Sequence, residues 1–192
     1  MNLRTRGIPN LNILLALIVA FTFAAGSRAQ AQINVYLKID SIQGESTARN
    51  HENEIIATGC SFKVDQVGVT AWAGPVGGAS KSAATPIMLK KLVDKSSPQL
   101  FISSLLGTNL RTVSLTFTKP GGAGEVDFLK ITLTNALVTS YSLNSEVGDQ
   151  AGEILSLGYQ TITYKYTPQL QNGSSGTPVS VGFDLIRNLR LP

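Results

Sequence analysis

The chain contains one histidine, His51, and one cysteine, Cys60, and these two bound the chemistry it can perform. A serine hydrolase needs a base beside its nucleophile. His51 is the one candidate of the usual kind, and no Gly-x-Ser-x-Gly turn exists to present a serine to it. A zinc site fares no better, because one histidine and one cysteine cannot complete the usual ligand set. Cys60 stands among Ile55, Ile56, Ala57 and Phe62 and reads as one more small apolar residue of a strand, without the electropositive setting of a reactive thiol. Glu45, Glu52, Glu54, Asp127, Glu146, Asp149 and Glu153 fall mostly in predicted loops, and no spacing singles out a pair for glycosidase chemistry, so they read as solvated charges. The glycine-rich stretches 74–78 and 121–124 lack a Gly-Lys-Ser/Thr ending and a following helix; they are turns, not phosphate cradles. Aromatic residues, among them Tyr36, Trp72, Tyr141, Tyr164 and Tyr166, could stack on sugars, but most alternate in and out along strands, which favours core or subunit contact. The sequence therefore predicts no catalytic residue, no cofactor and no metal, and hence no enzyme.

Charge excludes another class. The formal charge of +4 is concentrated in the first 31 residues, where Arg4, Arg6 and Arg28 stand without any acid, and the remainder carries 13 basic against 12 acidic side chains. Its lysines are scattered, so no basic face addresses nucleic acid. The first 31 residues read as a signal peptide: a positive start, an apolar run over 11–25 and a small-x-small cleavage signal at Ala29 and Ala31. That run is shorter than the ~20 residues needed to span a bilayer, so a secreted or periplasmic protein with no stable membrane insertion after cleavage is expected. A lone cysteine allows no internal disulfide.

The elements that position these residues are mostly strands. Residues 34–40 alternate, with Val35, Leu37 and Ile39 on one face and Tyr36, Lys38 and Asp40 on the other. A polar loop over 44–54 carries His51. A second strand runs over 54–64, with 67–72 as a continuation past a bulge at Asp65 and Gln66, and 74–86 is too rich in glycine, alanine and proline to pack, so it forms the long tip of a hairpin. Strands follow over 87–92 and 111–119, over 126–143 as one long or bent strand, and over 154–167. Residues 171–178 read as a linker and 179–186 as an edge strand. The one helix lies in the stretch 93–107: Ser97 caps it, Pro98 occupies its first position, Gly107 stops it, and Asp94, in front of the first turn, suits its dipole. Leu100, Phe101, Ile102, Leu105 and Leu106 make an apolar surface too wide for a solvated helix, so one side packs on a sheet. The expected class is mainly β, a two-sheet barrel or sandwich with one short α-helix. Its parts are the signal peptide 1–31, the barrel domain 32–169, and a linker with a C-terminal edge segment over 170–192.

Four stretches carry a resemblance. Tyr36-Leu37-Lys38-Ile39-Asp40-Ser41-Ile42-Gln43-Gly44-Glu45-Ser46, Val93-Asp94-Lys95-Ser96-Ser97-Pro98, Phe128-Leu129-Lys130-Ile131-Thr132-Leu133 and Ile162-Thr163-Tyr164-Lys165-Tyr166-Thr167-Pro168-Gln169 are similar, in this order, to the haemolysin-coregulated protein family. Gly182-Phe183-Asp184 resembles the closing Gly-Trp-Asp of that family, whose members form the tube of type VI secretion systems. The resemblance implies a barrel with the helix on one side, a homo-hexameric ring, stacking of rings into a tube, and secreted effectors and other type VI components as partners. It also implies that the glycine-rich hairpin, with Gly77, Gly78, Ser80 and Lys81, reaches a neighbouring ring. Two features depart from the family pattern: residues 57–64 lack the tryptophan usual there, and tube proteins do not normally carry an export leader. The other reading the residues allow is an exported β-sandwich module that binds a glycan or a surface protein.

Overall fold

The computed structural model describes residues 32–66, 82–122 and 124–192. These form β1 (Asn34–Ile39), β2 (Ile55–Ser61), β3 (Val64–Gln66), β4 (Ser82–Ala84), β5 (Ile87–Leu92), α1 (Ser97–Leu106), β6 (Leu110–Gly121), β7 (Gly124–Asn144), β8 (Gly152–Gly158), β9 (Thr161–Tyr166), β10 (Val179–Asp184) and β11 (Leu189–Leu191). Nine strands join one antiparallel sheet in the order β11-β10-β9-β7-β6-β1-β2-β5-β8. Because β8 also pairs with β7, the six strands β7, β6, β1, β2, β5 and β8 close on themselves as a barrel. The mainly β barrel with a single short helix among the described residues is the class the sequence predicts.

Period-two alternation builds the barrel's core. Leu37, Leu115 and Ile131 face one another across β1, β6 and β7, and Leu89 and Leu155 across β5 and β8, all of them buried. Register shifts between Ala57 and Gly59, Phe117 and Thr118, and Val138 and Ser140 add the local twist that closure requires. The long β7 serves two sets of partners. Its first half lies between β6 and β9, its second half pairs with β8, and Asn135 at the divide has a left-handed backbone, φ 49°. Asparagine tolerates that conformation better than most residues.

Several expectations change. Residues 154–167 are two strands, because the chain leaves the barrel at Tyr159 and Gln160: β8 pairs with the second half of β7, and β9 with the first. Tyr36, on the strand face opposite Val35, Leu37 and Ile39, is nevertheless buried, beneath the loop between β1 and β2. That loop is ordered by its own backbone bonds, among them Gly44 N–H to Asn53 O at 2.8 Å and Asn53 N–H to Ser46 O at 2.8 Å. Gly44 is required there, since a Cβ would come within 2.3 Å of Glu54 O. The short pair β3–β4 brackets the glycine-rich stretch, as a hairpin would. The expected strand over 67–72 lies outside the described residues. The outer strand of the sheet is β11 rather than β10, and Asp184 makes the turn between them by accepting from the N–H groups of Ile186 and Arg187, both at 2.9 Å.

Candidate functional site

The helix is mounted on a buried lysine. Along β5, Ile87, Leu89 and Lys91 share the inward phase, so Lys91 enters the interior with its two apolar neighbours and is 2% exposed. Its Nζ lies 2.7 Å from Glu153 Oε2 and 2.8 Å from Asp94 Oδ1, and donates to Ser97 Oγ at 3.0 Å. Tyr141 donates its hydroxyl to the other Glu153 oxygen at 2.5 Å. The tyrosine's pKa rises steeply, through burial first and the Glu153 carboxylate second. Asp94, expected only to suit the helix dipole, also holds Lys91, and it accepts from Ser96 N–H at 2.9 Å. Ser97 is the first helical residue, not the cap. The cap position is Ser96, whose side chain makes no capping bond, while Ser97 Oγ accepts from Asp94 N–H. Glu153, expected in solvent, is as buried as the lysine. Gly107 ends α1 in the left-handed conformation, φ 60°, as the sequence predicts.

Around α1 the residues divide into two opposed faces, and most of the apolar ones lie on the outer face. Ser97, Leu100 and Ser103 are buried against the barrel. Phe101, Ile102, Leu105 and Leu106 point the other way, with Leu105 66% and Leu106 72% exposed. Phe101 and Ile102 are partly covered, Phe101 edge-on against Tyr141 with ring centroids 5.7 Å apart.

A second open apolar surface lies where β9–β11 extend beyond the barrel. Directly opposed residues of neighbouring strands project to the same side of a sheet. Ile131, Tyr164 and Val181 form one such row across β7, β9 and β10, and Leu129, Tyr166 and Val179 form the next. Ile131 is buried in the core, so these rows carry the barrel's inner face outward, where Tyr164, Tyr166, Val179 and Val181 are exposed. The third row, Ile162 and Phe183, joins Val64, Ala84, Tyr159 and Leu185 in lining an apolar cavity of about 190 Å³.

A polar cluster surrounds His51, which is buried rather than solvated in its loop. Its ring stacks flat on Tyr36 at 4.3 Å, Nδ1 faces Glu54 Oε2 at 2.9 Å, and Nε2 faces Asp127 Oδ1 at 3.1 Å. Burial opposes a charge on the ring, but the two carboxylates outweigh it and raise the pKa above its usual 6.5. Tyr36 donates to Glu125 Oε2 at 3.0 Å, and burial together with that carboxylate pushes its pKa up to about 12. Glu125 also accepts from Thr118 Oγ1 at 2.6 Å and Asn34 Nδ2 at 2.6 Å; the Thr118 bond leads in lowering its pKa. Glu54 and Asp127 were expected as solvated charges, and they meet here because the loop folds back over β1 and β7. No serine nucleophile is bonded to the ring, and no group of three or more potential metal ligands occurs among the described residues.

Cys60 is half-buried against the core, and burial pushes its thiol up to about 11, consistent with an inert strand residue. The expected cleavage residues Ala29 and Ala31 and the expected stacking residues Gly77, Gly78, Ser80 and Lys81 lie outside the described residues. Sequence reasoning missed the Lys91 network, although the signal was present: a lysine at the inward phase of an alternating strand.

Comparison with known proteins assigns the chain. A family model described as type VI secretion system effector, Hcp, matches residues 36–166. Protein hcp1 of Pseudomonas aeruginosa is 31% identical over 160 residues, covering 82% of this chain and 98% of its own. Among solved structures, one described as a type six secretion system protein superposes with a TM-score of 0.78 at 25% identity, over 83% of this chain and 100% of the other. Hcp1 of Salmonella typhimurium shares the fold, with a TM-score of 0.69 at 24% identity over 84% and 100%. The Val93 to Pro98 segment in which the resemblance is most specific is the one that wraps Lys91 and seats α1. With the fold, the motif segments and the family match in agreement, this chain belongs to the Hcp family of type VI secretion system effectors.

Proposed function

We propose that this chain is a structural subunit without catalytic activity, whose copies join head to tail into a hexameric ring, with rings stacking into a tube that carries secreted effectors. The observation that supports this reading is a helix seated on its own barrel through Leu100, between Ser97 and Ser103, whose more apolar face, with Phe101, Ile102, Leu105 and Leu106, is open. A surface helix normally turns its apolar stripe to the core and its polar side to water, so an apolar outer face calls for a partner. The overhang of β9 and β10 supplies a second, different apolar surface on the same subunit. Two unlike surfaces are what a head-to-tail ring uses, whereas a two-fold dimer pairs one surface with itself. Light scattering coupled to size exclusion on residues 32–192 tests this: a particle about six times the monomer mass is expected. A monomer at all concentrations would overturn it and favour the exported binding module.

The same proposal takes residues 1–31 as an export leader, 32–169 as the ring-forming barrel and 170–192 as a linked edge segment, with Gly77, Gly78, Ser80 and Lys81 in ring stacking. The N-terminus of protein recovered outside the cytoplasm checks the leader, and cleavage after Ala31 is expected. Lys81→Glu is expected to leave the ring intact and abolish stacking, as judged by electron microscopy of negatively stained rings.

A further inference from the structure

Both ring nitrogens of His51 face carboxylate oxygens, Glu54 Oε2 at 2.9 Å and Asp127 Oδ1 at 3.1 Å. A carboxylate only accepts, and a neutral imidazole has one N–H and one lone pair. The ring can satisfy both partners only as the imidazolium, which donates from each nitrogen. Without its proton, one nitrogen would turn a lone pair toward a carboxylate. The two partners are not equally held: Glu54 is 11% exposed, whereas Asp127 is 58% exposed and can turn to water.

The surroundings leave the ring as the local counter-charge. On β1, Tyr36 stacks beneath it and bonds Glu125; on β7, Asp127 and Glu125 bring two negative charges; on β6, Thr118 donates to Glu125. Arg49 of the same loop lines a cavity of about 200 Å³ with Glu125. Among the described residues no lysine or arginine forms an ion pair with Glu54, Asp127 or Glu125. The 44–54 loop that carries His51 also reaches the turn leading into α1, where Glu45 accepts from Lys95 N–H at 3.0 Å and Asn53 Oδ1 accepts from Lys95 Nζ at 3.3 Å.

We propose that His51 is a pH-sensitive pin: as an imidazolium it ties the β1–β2 loop to β7 through Asp127, and loss of its proton releases that tie. The device stands on the subunit alone and is independent of ring formation. Because the folded pKa is raised, the pin is engaged below the ordinary value of 6.5 and is lost as pH rises through the folded value. Release at Asp127 loosens the loop from β7, while its own backbone bonds and its contacts with Lys95 remain.

His51 is the sole histidine, so a full chain labelled with 15N-histidine gives one ring to follow. Both nitrogens are expected to carry protons at pH 6, with a midpoint above 6.5. Hydrogen exchange of residues 44–54, corrected for its intrinsic pH dependence, should rise about tenfold through the same midpoint. In Asp127→Asn the side-chain amide can donate to the neutral ring, so the loop should stay protected across the range while the fold is kept. A midpoint at or below 6.5, a single-tautomer ring at pH 6, or loop exchange that ignores the His51 titration would overturn the proposal. So would an Asp127→Asn variant that retains the wild-type response.

Discussion

At Lys91 one buried ammonium meets Glu153, Asp94 and Ser97, drawn from β8, the turn before α1 and the first residue of α1. A buried ion pair does not by itself prove stability, because its desolvation cost competes with its attraction, but removing one partner strands the others. Lys91→Met leaves two carboxylates without their cation, so a loss of about 3–5 kcal/mol is expected from urea unfolding. Cys60 offers a quieter check. A thiol moved from 9.0 to about 11 has roughly 100-fold less thiolate at pH 8, so it should react with a thiol reagent that much more slowly folded than in denaturant.

Among the elements, α1 separates folding from assembly. Leu100 is fully buried against the barrel, and Leu100→Ala should cost about 2–5 kcal/mol. Leu105→Lys with Leu106→Lys lies on the open face, and each change should shift stability by no more than about 0.5 kcal/mol. The β1–β2 loop is a second such element. Gly44→Ala would drive a methyl into the Glu54 backbone at the start of β2, so loss of the raised His51 midpoint is expected in an otherwise folded barrel, read by the same histidine labelling.

At the scale of the fold, barrel closure satisfies six strands and leaves β9–β11 as an extension, with β11 as its outer edge among the described residues. Free edges and open apolar faces are liabilities in an isolated subunit and useful in an assembled one. If the native chain forms the proposed ring, the Leu105→Lys, Leu106→Lys chain is therefore expected to run at monomer mass under the same conditions, with unchanged circular dichroism. Retention of the ring by that variant would remove α1 from the contact and leave the overhang as the surface to test.

The sequence alone determined what local periodicity controls. Alternation grouped Val35, Leu37 and Ile39 on the face that is buried, a glycine with access to the left-handed region ended α1 at Gly107, and the single histidine and cysteine limited the chemistry. The 93–98 segment and its companions were enough to indicate the family. Contacts between residues distant in the chain were decided only by the tertiary structure. Lys91 reaches Glu153 across 62 residues and His51 reaches Asp127 across 76, and no local pattern encodes either meeting. The split of residues 154–167 had the same origin, since β8 and β9 have similar alternation and differ only in which half of β7 they pair with. Burial also reversed the expected roles of Glu153 and His51, both read as residues of solvated loops, because a side chain's exposure depends on what covers it rather than on its own polarity.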